Sequence, residues 1–109
     1  MTEQQAKDIL CTAIEGGGIY YWMSEECQNI IVDRSEKFGE ESVNIDEWFY
    51  ISISFEYEEK MYKVHYSDMM KKANEFIKKY PRLPIDDNHD AISADAFFQF
   101  CAFNEIIFG

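Results

Sequence analysis

Hydrophobic positions recur along the chain with two periods, and the changes between them mark its elements. Ala6, Ile9, Leu10, Ala13 and Ile14 fall on one face at helical spacing, which predicts a helix from about Thr2 to Glu15. Thr2 and Gln5 have capping-box spacing at its start, and Gly16 to Gly18 stop it, glycine being suited to a left-handed cap. Ile19-Tyr20-Tyr21-Trp22-Met23 is too short to show a period and reads as an extended aromatic segment packed over the helix end. Residues 24–47 are acidic, with Ile30-Ile31-Val32 as a short strand in their midst.

From Phe49 to Tyr57 the period becomes two. Phe49, Ile51, Ile53, Phe55 and Tyr57 alternate with Tyr50, Ser52, Ser54 and Glu56, which predicts a strand. Beyond Glu58-Glu59-Lys60 the apolar set is Tyr62, Val64 and Tyr66, so a two-residue turn at Glu59-Lys60 predicts a hairpin with Tyr57 opposite Tyr62, Phe55 opposite Val64 and Ile53 opposite Tyr66. That turn lacks the Asn-Gly chemistry that the tightest hairpins prefer. Ser67 then caps a helix carrying Met69, Met70, Ala73, Phe76, Ile77 and Tyr80, with Lys78 and Lys79 at its negative end and Pro81 as its stop. A polar loop leads to a helix from about Ser93 to Phe103 that is apolar nearly all round, hence either central to the core or covered by a partner. Asn104 suits a left-handed cap, and Ile106-Ile107-Phe108 is expected as an edge strand. The element order predicts an α+β fold: a hairpin-based antiparallel sheet packed with about three helices.

A length of 109 residues suits a single domain, and 47% hydrophobic residues supply its core. No basic, apolar and small-residue sequence at the N-terminus resembles a signal peptide, and no apolar run approaches the roughly 20 residues of a spanning helix. A cytoplasmic protein is expected. Cys11, Cys27 and Cys101 are odd in number and widely spaced, as reduced thiols are.

Charge changes the picture most. The whole net charge of -11 resides in residues 1–59, where Lys7, Arg34 and Lys37 face fourteen carboxylates, while residues 60–109 are balanced. A one-sided acidic field draws basic partners and repels nucleic acid and anionic membranes.

Candidate chemistry is sparse. Asp86, Asn88 and Asp90 have the first spacings of a calcium loop, yet Ala91 stands where the turn needs glycine and Phe97 where a bidentate Glu belongs, so a loop leading into a helix is the simpler reading. His65, His89 and the three cysteines share no metal-ligand spacing, and exposed histidines are expected; a Cys27 and His65 nucleophile pair has no local support. The glycine run follows a helix where phosphate-binding loops precede one, and reads as a cap. Met69-Met70 reads as core at helical spacing. Tyr20, Tyr21 and Trp22 could stack a base, but lack adjacent cations to hold phosphates.

Two segments carry a resemblance. Ala13-Ile14-Glu15-Gly16-Gly17-Gly18-Ile19-Tyr20-Tyr21-Trp22, then Ala94-Asp95-Ala96 and Gln99 to Gly109, resemble a family of small proteins encoded by bacteriophages and prophages. Its members have an Ala-Ile/Val-Glu-Gly-Gly…Tyr-Trp element and a closing Phe-Gly-Glu-hydrophobic-hydrophobic-Tyr-Gly element. Here Asn104 replaces the closing glycine and Phe108 the tyrosine, and the middle of the chain is not covered. The resemblance implies a phage or mobile-element origin and assigns no activity to any residue.

A non-enzymatic binding protein is therefore expected, with no cofactor and no metal. Its candidate face is Glu25, Glu26, Asp33, Glu36, Glu40, Glu41, Asp46 and Glu47, imitating a nucleic-acid backbone toward a basic host protein. The alternatives are an oligomer that sequesters a nucleotide through Tyr20, Tyr21 and Trp22, or an assembly accessory that uses the Phe-rich helix as a contact.

Overall fold

The computed structural model of the chain describes residues 1–16, 18–33 and 52–108. Its elements are α1 (Glu3–Glu15), α2 (Tyr20–Glu26), β1 (Gln28–Asp33), β2 (Ser52–Tyr57), β3 (Lys60–His65), α3 (Tyr66–Lys79) and α4 (Ala91–Phe103). The strands form an antiparallel sheet in the order β1-β2-β3. The class is α+β, as the periodicity predicts. No helix among the described residues is long and apolar enough to cross a membrane.

Helix α1 begins as expected. Thr2 Oγ1 accepts the Gln5 amide at 3.1 Å and the Gln5 side chain accepts the Thr2 amide at 2.9 Å. Its end differs: Gly16 is right-handed, with φ -71°. What glycine supplies at this corner is close approach. A Cβ on Gly16 would lie 3.2 Å from the Ala91 Cβ, and one on Gly18 would lie 2.9 Å from the Asp95 Cβ.

The aromatic segment is helical rather than extended. Ile19, Trp22 and Met23 are buried while Tyr20, Tyr21, Ser24 and Glu25 face outward, a three-and-four spacing that one helical turn produces and a strand does not. Strand β1 contains the Ile30-Ile31-Val32 run, with a register irregularity between Gln28 and Ile31. Phe49, Tyr50 and Ile51 lie outside the described residues.

The hairpin is displaced by two residues from the expected register. Tyr57 pairs with Lys60, Phe55 with Tyr62, Ile53 with Val64 and Ser52 with His65. The turn is Glu58-Glu59, both left-handed at φ 49° and 66°, the signature of a type I′ turn. A two-residue slip preserves which face each side chain occupies, so Ile53, Phe55 and Val64 still point inward. It also ends β3 one residue before the expected Tyr66. His65, rather than Ser67, is the N-cap of α3, its ring accepting the Ser67 amide while Asp68 accepts the His65 amide. Likewise Asp90 caps α4, which starts two residues before Ser93, and Ser93 completes the reciprocal pair.

Helix α4 is the centre of the molecule, which settles the choice its all-round apolar surface left open. Phe97 and Phe100 pack against Phe76 of α3, and Phe98 against Trp22 of α2 and Phe55 of β2. Phe103 meets Tyr57 and Tyr62 of the hairpin. The phenylalanines of this helix are thus packed within the chain, while Ile92 near its start is exposed. Of the methionine pair, Met69 is buried and Met70 exposed. Asn104 has the left-handed cap expected of it, φ 63°. Ile106 to Phe108 is not a strand. The buried Gln99 side chain takes the place of a neighbouring strand: its Oε1 accepts the Ile107 and Phe108 amides at 2.9 and 2.8 Å, and its Nε2 donates to the Phe108 carbonyl at 3.1 Å.

Candidate functional site: an acidic end above an aromatic junction

The end of α2 and the tip of the hairpin bring carboxylates from distant parts of the chain to one end of the sheet. Glu25 and Glu26 close α2, and Gln28, two residues on, pairs with Glu56. Asn29 bridges the two strands by donating to the Glu56 carboxylate at 2.9 Å. Glu58 and Glu59 follow at the turn. Tyr57 registers the convergence: desolvation first, then the carboxylates of Glu58 and Glu26, push its hydroxyl pKa up.

Among the described residues, none of these carboxylates is in an ion pair: the pairs there are Lys7 with Glu3 at 2.9 Å and Lys72 with Glu75 at 3.9 Å, and neither involves this end. Two local rules are also broken here, both by glutamate. Glu25 and Glu26 occupy the last turn of a helix that has no basic residue there, although the carbonyl end of a helix repels negative charge by about 0.3–1 kcal/mol per group. Glu58 and Glu59 sit at left-handed positions that Asn and Gly occupy at lower cost, a difference of about 1 kcal/mol each.

The candidate acidic face is therefore only partly as expected. Glu25 and Glu26 belong to it, and Glu56, Glu58 and Glu59, which spacing along the chain did not associate with them, join it. Asp33 lies at the far end of β1, opposite Ser52. Glu36, Glu40, Glu41, Asp46 and Glu47 lie outside the described residues.

Beneath this end the start of α2 meets α4 and the C-terminal tail. Tyr20, Tyr21 and Trp22 do not form one stacking surface: Tyr20 and Tyr21 are about half exposed and Trp22 is buried. The Trp22 ring stacks on Phe108 at 4.6 Å with an interplanar angle of 7°, and its Nε1 donates to Asp95 Oδ1 at 2.8 Å. Gln99, which holds the tail, also donates to Asp95 Oδ1, at 3.2 Å. Burial raises the Asp95 pKa despite these two donors. Asp95 and Gln99 are legible only as polar residues one helical turn apart in an apolar helix. Their partners require the fold.

The remaining candidates are occupied by structural tasks. Asp86 accepts the Asn88 amide at 2.8 Å in a tight turn, and Asp90 caps α4, where the Ser93 amide holds its carboxyl pKa down. His89 is half-buried rather than exposed, its Nδ1 on the Asp86 carbonyl and its Nε2 2.9 Å from Thr12 Oγ1. His65 is half-buried as well, capping α3. Burial, then Glu26, push the Cys27 thiol up to about 11, so at neutral pH it is the protonated, non-nucleophilic form. The Cys101 thiol is pushed up too, by burial. Among the described residues, no three His, Cys, Asp or Glu side chains gather where they could hold a metal.

Comparison of the chain with family models, with curated proteins and with solved structures finds no match.

Proposed function

We propose that this chain is a phage-derived accessory protein of the host cytoplasm. It acts without catalysis, by docking its acidic end on the basic groove of a host enzyme that handles nucleic acid. The observation that carries this reading is that glutamate occupies two pairs of unfavourable positions at the same end of the fold. Carboxylates at a helix C-terminus and at left-handed turn positions lower stability, and violations of local rules that cluster in space are characteristic of functional surfaces. The net charge of -11, all of it in residues 1–59, adds a field that steers such an encounter.

A basic groove built for nucleic acid matches a row of phosphates, one per roughly 1.7 Å of duplex, and closely set carboxylates compete for it. The test is capture on the tagged chain from nuclease-treated lysate, followed by a salt series and competition. The reading predicts that a captured protein is displaced by duplex DNA. Its affinity should fall at least about tenfold between about 50 and about 200 mM salt. A captured partner that duplex DNA cannot displace, or whose binding ignores salt, contradicts it.

A further inference from the structure

Beside the Trp22 and Asp95 junction is an open pocket of about 390 Å³ lined by Gly18, Tyr21, Ala91, Ile92 and Asp95. Its chemistry is specific. One wall is the Tyr21 ring and another the Ile92 side chain, 52% and 73% exposed. Ala91 supplies an apolar floor, Gly18 adds only backbone to the lining, and Asp95 lines the pocket as well. Both hydrogen bonds to that carboxylate, from Trp22 and Gln99, go to Oδ1, so Oδ2 takes none among the described residues. The pocket is continuous with the acidic end, because Tyr21 and Glu25 are one turn apart on the same outward face of α2.

An aromatic face, an apolar floor and a carboxylate together suit a flat cation on an alkyl stem. We infer that the pocket receives an arginine side chain from the basic partner, the guanidinium on Asp95 Oδ2 and against the Tyr21 ring, the stem along Ile92; this rests on the reading of the acidic end as a docking surface. Arginine fits better than lysine because its planar group both stacks on an aromatic ring and pairs with a carboxylate. Burial disfavours the ionised Asp95, and a bound guanidinium removes that penalty. Trp22 and Gln99 hold the carboxylate in place, and Gly18 lets the α1–α2 corner sit against it. A surface of diffuse negative charge thereby gains one position with defined geometry, such as the buried anchors that dominate protein interfaces.

The probe is N-acetyl-arginine amide, titrated into the full chain and followed by NMR, with the uncharged N-acetyl-citrulline amide as control. Saturable shifts are expected at Gly18, Tyr21, Ile92, Asp95 and the Trp22 indole N–H with arginine, and not with citrulline. Asp95→Asn keeps an Oδ1 acceptor for Trp22 and Gln99 and should weaken binding at least tenfold. Tyr21→Ala removes the aromatic wall and should weaken it several-fold, with the retained fold checked by the dispersion of the variant's NMR spectrum. Equal responses to arginine and citrulline, unchanged affinity in both variants, or shifts confined to Glu25, Glu26, Glu58 and Glu59 overturn the assignment. Because no partner protein is present, such a failure leaves the docking reading to its own salt and displacement test.

Discussion

Single residues set the stability of the junction. Gln99 is fully buried and occupies the hydrogen-bonding groups of the C-terminal tail, so Gln99→Leu leaves the Ile107 and Phe108 groups unsatisfied. At about 1–3 kcal/mol for such a loss, denaturant unfolding should show at least about 2 kcal/mol of destabilisation, and hydrogen exchange at the two amides should accelerate. Gly18→Ala should also destabilise, although the position is not left-handed, because the added Cβ has no room beside Asp95. Two carboxylates give opposite pH signatures. The pKa of Asp90 is held below the ordinary 3.8 by the Ser93 amide. Its contribution is therefore present above 3.8 and lost as pH falls through the depressed value. That of Asp95 is raised by burial, so its contribution is full below the ordinary value and lost as pH rises through the folded one. Melting curves across pH should show Asp90→Asn losing stability at neutral pH while Asp95→Asn gains there. The reverse order contradicts the assignment.

Among the elements, what periodicity and capping chemistry determine locally was legible from the chain. Helix α1 with its Thr2 and Gln5 box, the inward set of β2 and β3, the left-handed Asn104 and the α+β class needed no tertiary information. Four readings required it, the first being the cap of α3, which falls on His65 rather than Ser67 because β3 ends there. The segment at Tyr20 to Met23 shows only one turn of its period, and its helix is stabilised by Trp22 reaching Asp95 and Phe108, which are distant in sequence. The hairpin register turned on whether glutamates accept left-handed positions, and propensity argues against what the fold adopts. The tail at Ile107 pairs with a side chain instead of a strand, a partner that alternation does not reveal. Of the candidate site, the acidic character was legible and its assembly was not, because Glu26 and Glu58 become neighbours only through pairing of β1 with β2. The turn offers an element-scale test: Glu58→Asn with Glu59→Gly should stabilise the hairpin by about 1–2 kcal/mol, measured by denaturant unfolding.

At the scale of the whole molecule, the charge split follows a division of labour. Lysines of α3 lie over aromatic rings of the core's margin, Lys72 and Lys79 over Phe100, and so serve packing. The carboxylates at the end of α2 and at the hairpin tip make no ion pair among the described residues, and Glu56 alone joins two strands, through Asn29. Stability and binding should therefore trade against each other there. The most direct measurement joins both in one variant, with Glu25→Lys, Glu26→Lys, Glu58→Asn and Glu59→Gly combined. These changes relieve the helix end and the turn, so unfolding should show a gain of about 2 kcal/mol while capture of a DNA-displaceable partner is lost. A variant that is more stable and still captures that partner would contradict the claim that this end is the binding surface.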